Sequence, residues 1–238
     1  MKIIFTGGSG RFGKKFRNKT QLKNIFYPTS KEMDITSYNS VKKYLTKTRP
    51  TTIIHCAALS RPMDIHDKKI SRSIDINIIG TANLVKYCSE KKIKFIYFST
   101  NYVYPGREGK YKEQDSLLPY NNYAWSKMGG ECAVQMYKKS LILRVCMTEK
   151  PFIHEYAFDD LITNFIFHDD VIKLLPKLLR KNGIINLGGP VQSVYKFAKR
   201  YNKKIKKIKS QKFLKKEIPI NHSMNINKLK NILKHKNK

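Results

Sequence analysis

Tyr123 and Lys127 bound the run Tyr-Ala-Trp-Ser-Lys, four residues apart, and on a helix that spacing puts both side chains on one face. A phenol with a pKa near 10 is a poor acid–base catalyst at neutral pH, and an ammonium group beside it lowers that pKa electrostatically. Twenty-three residues upstream of Tyr123, Phe98-Ser99-Thr100 ends an apolar run. In a parallel sheet the carboxyl end of such a strand lies on the ligand-binding edge. The Thr100 hydroxyl could then hydrogen-bond a carbonyl oxygen while Tyr123 donates its proton.

A second chemical signal is Thr6-Gly7-Gly8-Ser9-Gly10-Arg11-Phe12-Gly13. Gly7, Gly10 and Gly13 form a GxxGxxG spacing between a strand-like run and a helical one. Without side chains the backbone turns tightly and approaches a pyrophosphate. The helix opened by Arg11 and Phe12 supplies N–H donors and a positive dipole end. A tight strand–helix turn is the bland alternative, and the place directly after the first strand favours a dinucleotide. In NAD-selective proteins an acidic residue at the end of the second strand binds the ribose 2′-hydroxyl. Here that stretch reads Phe26-Tyr27-Pro28-Thr29-Ser30-Lys31, with no acid. Ser30 and Lys31, helped by Arg11, suit a 2′-phosphate, so NADP(H) is the expected cofactor and NAD(H) the alternative. Asp34 and Ile35 are placed to border the adenine; an exposed turn is the plainer role for Asp34.

These residues need elements to hold them. Lys2–Thr6, Asn24–Tyr27, Thr52–Cys56, Phe95–Ser99 and Leu141–Val145 are short and rich in Ile and Phe, as buried strands are. Ser37–Thr48, Ile70–Lys91 and Tyr123–Lys138 have helical periodicity, the first with Thr36 or Ser37 as its cap. Strands alternating with helices predict an α/β fold, a Rossmann-type doubly wound parallel sheet. Beyond about Arg144 the rhythm changes. Asp170–Arg180 is helical in spacing, with Pro176 expected to kink or break it. Gly183–Leu187 reads as a strand, Ser193–Tyr201 as a helix, and Lys203–Lys216 as a strand or irregular arm. The expected organisation is a dinucleotide-binding domain over residues 1–146 and a small C-terminal substrate lobe with a basic tail over 147–238, the boundary being discontinuous.

The 238 residues include 48 Lys and Arg against 17 Asp and Glu, a formal net charge of +31. Such basicity invites a nucleic-acid reading. However, 39 of the basic residues are Lys and only 9 are Arg, and Arg is the preferred fork for phosphate and base contacts. Lys, Ile and Asn share A/T-rich codons and are in joint excess, so coding bias accounts for most of the charge and nucleic acid is not the expected partner. Residues 195–238, with 16 basic and 1 acidic residue, leave a functional basic tail as an alternative. At 41% hydrophobic residues the chain is too apolar for disorder, and it has no run of about 18 apolar residues to cross a membrane. Met1-Lys2-Ile3-Ile4-Phe5 runs into a strand and does not resemble a signal peptide. Cys56, Cys88, Cys132 and Cys146 are widely spaced, which points to reduced thiols and a cytoplasmic setting. No metal site is expected; His154, Glu155, Asp159 and Asp160 form a loose acidic patch.

In their order along the chain, these motifs resemble the extended short-chain dehydrogenase/reductases that modify nucleotide sugars. Thr6–Gly13 resembles their phosphate loop. His55-Cys56-Ala57-Ala58 resembles their strand ending in small residues, which implies cofactor contacts at Ala57 and Ala58. Asn77 falls at the family's Asn on the long central helix and is implied as a further cofactor contact. Ser99–Gly106, Tyr123–Lys127 with Glu131, Phe167–Val171 and Gly183–Gly189 resemble later landmarks. Ser99–Gly106 and Asn225–Leu229 are most similar to the dTDP-4-dehydrorhamnose reductase group. The resemblance implies NAD(P)H-dependent reduction of a 4-keto (deoxy)sugar nucleotide, with Tyr123 as proton donor, Thr100 positioning the oxygen, and Lys127 lowering the Tyr123 pKa and holding ribose hydroxyls. Asn101-Tyr102 replaces the acidic pair of the 4,6-dehydratases, so dehydration is not expected. Asn101 also departs from the Asp usual in the reductases. A C4 epimerase, and a non-catalytic NADP-binding regulatory subunit like that of methionine adenosyltransferase, stay open. Arg61, Asn101 and Arg144 are the candidate substrate contacts, with Lys150 a further cation for the diphosphate. His55 and His168 are expected to pack or hydrogen-bond rather than catalyse. A homodimer is compatible with the resemblance.

Overall fold

Buried parallel strands read as unbroken apolar runs, and the first of them, Ile3–Thr6 (β1), is buried at all four residues. The computed structural model describes residues 1–150, 152, 154–214 and 218–234. After β1 come α1 (Arg11–Lys19), β2 (Ile25–Phe26), α2 (Tyr38–Thr48), β3 (Thr52–His55), α3 (Ile65–Lys68), α4 (Ile70–Ser73), a π-helical turn (Ile74–Ile79), α5 (Gly80–Lys91) and β4 (Lys94–Thr100). A 3₁₀ turn (Asn101–Val103), α6 (Asn122–Gln135) and β5 (Ser140–Val145) follow. Then come β6 (Met147–Thr148), β7 (Tyr156–Phe158), β8 (Ile162–Thr163), β9 (Ile166–Phe167), α7 (His168–Leu178), β10 (Gly183–Leu187), β11 (Gln192–Ser193), α8 (Val194–Lys199), β12 (Lys206–Ile208), α9 (Ser210–Leu214) and α10 (Asn227–Lys234).

Six strands form one sheet in the order β10-β5-β4-β3-β1-β2, with β1 parallel to β2 and β3, and β3 parallel to β4. This is the Rossmann-type sheet that the alternation predicts. Because β1 lies between β2 and β3, successive connections leave it in opposite directions. At that switch point a crevice opens outside the carboxyl ends of β1 and β3. Side chains alternate across the sheet. Ile4, Ile53, Phe95 and Ile142 belong to a core closed by Val41 and Leu45 of α2, Leu84 and Cys88 of α5, and Val134 of α6. Phe5 points the other way and stacks on Phe16 of α1, 4.5 Å between ring centroids. Ser37 caps α2 by accepting from the Ser40 N–H at 3.3 Å, and Asn121 caps α6 by accepting from the Ala124 N–H at 2.8 Å.

The chain divides into two compact units. One comprises Met1–Ser99, Asn121–Leu143 and Ile172–Ile184; the other comprises Thr100–Tyr120, Arg144–Val171 and Ile185–Lys238. Within the second, β6 pairs with β9, β7 with β12, and β8 with β11. Residues 220–225 tie this unit together. The Ile162 N–H donates to the Ile220 carbonyl at 2.7 Å, the Tyr111 N–H donates to the Ser223 carbonyl at 3.1 Å, and the Asn225 N–H donates to the Tyr111 carbonyl at 2.8 Å. The Asn164 amide bonds the Met224 backbone in both directions, at 2.9 and 3.0 Å.

Several local expectations are corrected. The helical stretch 70–91 is interrupted by the π turn, where the Gly80 N–H reaches back five residues to the Asp75 carbonyl. Gly80 also admits Ile35, whose side chain would stand 2.8 Å from a Cβ there. Pro176 does not end α7, because it lies in the last turn while Val171, Ile172, Leu175 and Leu178 bury that helix's apolar side. The described part of the 203–216 stretch, residues 203–214, is neither one strand nor an arm: β12 is followed by α9, whose Ser210 N–H and hydroxyl both donate to Asp160 at 3.0 Å. Residues 215–217 and 235–238 of the basic tail lie outside the described residues. Among the described residues no helix is long and apolar enough to cross a membrane.

Phe16→Ala empties the stack on Phe5 and is expected to lower unfolding stability by about 3–5 kcal/mol, read from urea denaturation. A loss below about 1 kcal/mol would mean that this face of the sheet closes some other way.

Candidate active site

The loop after β1 is tighter than any side chain allows. Gly7 has φ +79°, and a Cβ on it would stand 2.7 Å from the Ala57 nitrogen. A Cβ on Gly13 would overlap the Gly7 carbonyl oxygen. The Gly10 N–H donates to that carbonyl at 3.0 Å and closes the turn. Gly10 then caps α1 with no side-chain acceptor, and the first turn holds no acid, so its backbone donors suit an anion. Phe12 is buried and packs on Phe98 at 5.3 Å; what it offers a ligand is its backbone. Arg11 is exposed.

Thr6 links this loop to the end of β3. Its Oγ1 accepts the Ala57 N–H at 3.2 Å and pairs with His55 Nδ1 at 2.7 Å. The other His55 nitrogen meets the Thr81 hydroxyl at 3.0 Å. Burial, with a smaller push from Lys127, holds the His55 pKa well below its ordinary value. His55 is therefore a neutral strut joining β1, β3 and α5, a hydrogen-bonding role as the sequence suggests.

On the β2 side, Ser30, Lys31 and Asp34 are exposed. Asp34 Oδ1 accepts the Thr36 N–H and hydroxyl at 2.9 and 2.8 Å. Glu32 accepts the Thr29 N–H at 2.8 Å and its hydroxyl at 2.9 Å, which holds its carboxyl below the usual range. The Ile35 carbonyl accepts from Asn83 at 2.9 Å. Tyr27 follows β2 directly, and the Arg17 guanidinium lies 4.4 Å over its ring. Sequence reasoning passed over Arg17; its one signal was a place four residues past Gly13 on the same helix.

Asn77, expected as a cofactor contact, has its side-chain amide engaged with protein. Its Oδ1 accepts the Leu59 N–H at 2.8 Å, while Nδ2 donates to the Leu59 carbonyl at 2.9 Å and the Ser126 hydroxyl at 2.8 Å. Both amide hydrogens are spent on protein. From the π turn, Asn77 thus ties the loop after β3 to α6 one residue before Lys127. Gly130 permits that approach, since a Cβ there would stand 2.6 Å from the Asn77 carbonyl oxygen.

On α6, Tyr123 is half-buried and Lys127 buried. The Lys127 ammonium lies 4.1 Å over the Tyr97 ring, and the Tyr97 hydroxyl donates to the Lys127 carbonyl at 3.0 Å. Burial pushes the Lys127 pKa down to about 8, opposed by Cys56 and by Glu131. Glu131, one turn further and fully buried, accepts from the Ser99 hydroxyl at 2.8 Å. His66 packs on Tyr123 at 5.2 Å between rings and shares a 2.7 Å hydrogen bond with Ser73 through Nδ1. Nothing in the sequence pattern of α3 marked His66 as a neighbour of Tyr123.

Thr100 is buried at the end of β4, its Oγ1 accepting the Tyr102 N–H at 3.3 Å. Asn101 is buried and donates to the His222 carbonyl at 3.2 Å. Arg61 is exposed. Arg144 does not fit the diphosphate role expected of it. It is 1% exposed, and Nη1 donates to the Tyr104 hydroxyl at 2.7 Å and the Glu113 carbonyl at 3.0 Å, which makes it an interior tie of the second unit. Lys150 lies over Phe167 and Tyr201, at 4.3 and 4.9 Å. Among the described residues no three His, Cys, Asp or Glu gather where they could hold a metal ion.

A family model described as the RmlD substrate binding domain matches residues 1–148. The chain is 28% identical over 142 residues to the methionine adenosyltransferase 2 subunit beta of Pongo abelii, covering 56% of this chain and 42% of that protein. It is 29% identical over 137 residues to the dTDP-4-dehydrorhamnose reductase of Mycolicibacterium smegmatis, covering 56% and 41%. The match therefore spans less than half the length of these curated relatives. In three dimensions the chain is similar to the crystal structure of dTDP-4-dehydrorhamnose reductase from Bacillus anthracis in complex with NADP, with TM-score 0.87, 26% identity, and coverage of 97% of this chain and 92% of that one.

Asn77→Ala would leave the Leu59 backbone groups and Ser126 without partners. It is expected to cost about 2 kcal/mol or more of unfolding stability, measured by chemical denaturation. An unchanged midpoint would show that Asn77 does not hold α6 in place.

Proposed function

The chain belongs to the RmlD substrate binding domain family, and we propose that it is an NADPH-dependent ketoreductase acting on a 4-keto deoxysugar nucleotide. The observation that carries this reading is the Tyr123–Lys127 pair one turn apart on α6, with the lysine buried and the tyrosine half-buried. The glycine turn supports a dinucleotide, because the space a Cβ would take at Gly7 and Gly13 is already occupied by backbone. The uncapped first turn of α1 fits a pyrophosphate. Ala57, Ala58 and Ile35 offer small or apolar surface to the nucleoside, and Ser30, Lys31 and Arg11 favour NADP(H) over NAD(H).

Bound there, the reduced nicotinamide supplies a hydride to the ketone carbon. The remaining work belongs to the chain. Tyr123 gives its phenolic proton to the ketone oxygen as negative charge develops on it. The Thr100 hydroxyl donates to the same oxygen and fixes its orientation. The Lys127 ammonium lowers the Tyr123 pKa and holds ribose hydroxyls. Arg61 and Asn101 are the substrate contacts, with Arg61 for the diphosphate. The relative named as a methionine adenosyltransferase subunit favours a second reading, an NADP-binding subunit without turnover of its own.

Incubation with NADPH and a panel of dTDP-, UDP- and GDP-linked 4-keto sugars separates the two. The reductase reading expects oxidation of NADPH with at least one of them. It also expects Tyr123→Phe to lower turnover by about a hundredfold or more while NADPH affinity holds. NADPH binding with no turnover across the panel would leave the subunit reading standing instead. The pH profile is a separate check. Lys127, at about 8, must be protonated to act, so kcat/KM should be level below that pH and fall about tenfold per unit above it. A profile flat to about pH 10 would remove its charge from the mechanism.

A further inference from the structure

The position just past β2 is where NAD-selective folds carry their acidic residue, and here it is Tyr27. The ring lies against the phosphate loop: a Cβ on Gly8 would stand 2.9 Å from Tyr27 Cδ1 and 3.3 Å from Arg17 Nη2. The Arg17 guanidinium sits over that ring, 4.4 Å from its centroid. Three groups from three elements, Gly8 of the loop, Tyr27 after β2 and Arg17 of α1, therefore meet at one point.

Arg17 is exposed and makes no hydrogen bond or ion pair with any described residue. Its guanidinium carries five N–H donors in a rigid fork. The nearest acid in sequence beyond β2, Glu32, is occupied by Thr29. Stacking on Tyr27 orders the fork in advance, so less side-chain freedom is lost when an oxyanion binds. Lys31, by contrast, sits in an exposed turn on a flexible stem, with no aromatic ring of a described residue beneath its ammonium. We propose that Arg17, laid on Tyr27 beside Gly8, takes the 2′-phosphate of NADP(H) and sets the chain's selectivity for it over NAD(H). This rests on the dinucleotide reading above and names the residue that decides which dinucleotide is held.

The test is direct titration of the full chain with NADPH, NADH, adenosine 2′,5′-bisphosphate and AMP, for wild type, Arg17→Gln, Arg17→Lys and Lys31→Gln. Arg17→Gln should weaken NADPH and the bisphosphate about ten- to a hundredfold, the worth of a charge-assisted hydrogen bond. NADH and AMP should be unaffected. Arg17→Lys should fall between, and Lys31→Gln should matter less than Arg17→Gln. Equal losses for NADPH and NADH would make the stack merely structural and overturn the proposal, as would no loss for either. A larger selective loss in Lys31→Gln would move the subsite to the loop and overturn it too. Wild type that binds neither dinucleotide would instead defeat the underlying reading, a result distinguishable from all of these.

Discussion

The closest constraint in the first unit is backbone lying on backbone: Gly7 against Ala57, and Gly13 against the Gly7 carbonyl. Because neither glycine has a side chain, α1 can begin almost on top of the end of β1. The turn between them then lies beside the end of β3. Thr6 and His55 convert that proximity into hydrogen bonds, and His55 passes it on to Thr81 of α5. From α5 the preceding π turn carries Asn77, which fastens both the Leu59 loop and α6. The glycine turn and the helix bearing Tyr123 are thus joined by one continuous series of short contacts. A single added methyl group at Gly13 would be felt along it.

Lys127 is the costly residue in this arrangement. An ammonium group taken out of water favours losing its proton, and the protein offsets this with the Tyr97 ring and the negative charge of Glu131. Since the folded pKa of about 8 lies below the ordinary 10.5, the folded state binds fewer protons than the unfolded one between those values. The lysine's contribution to stability therefore rises with pH across that window and is least favourable below it. Buried groups with pKa values shifted in this way cluster at functional sites, and Lys127 lies one helical turn from the half-buried Tyr123.

The Rossmann sheet was legible because its inner strands are buried on both faces, so Ile3–Thr6 and Phe95–Ser99 are largely apolar. The glycine spacing and the Tyr–Lys interval were legible because each depends on local geometry alone. What could not be read depends on contacts distant in sequence. Arg144 looked like a cation for a phosphate until Tyr104 and Glu113, far earlier in the chain, enclosed it. Asn77 occupied the expected place on the long helix, but only the folded arrangement shows that its amide is spent on Leu59 and Ser126. The π turn is likewise invisible to a period of 3.6, because one extra residue per turn shifts the pattern without abolishing it. Arg17 was lost among 48 basic residues, since only the folded chain lays its guanidinium on Tyr27 beside Gly8.

The segment 220–225 has a consequence for the order in which the protein is made. Every residue of the unit carrying the glycine turn, α6 and Lys127 lies at or before Ile184. The second unit must wait for Ile220, Ser223 and Met224, whose backbones supply partners for Ile162, Tyr111 and Asn164. These pairings close loops of more than a hundred residues in the case of Tyr111 and Ser223, and long loops form slowly. Until Ser223 and Met224 are made, Tyr111 and Asn164 lack these backbone partners, so the pairings of longest span in the second unit depend on the last part of the chain to be synthesised.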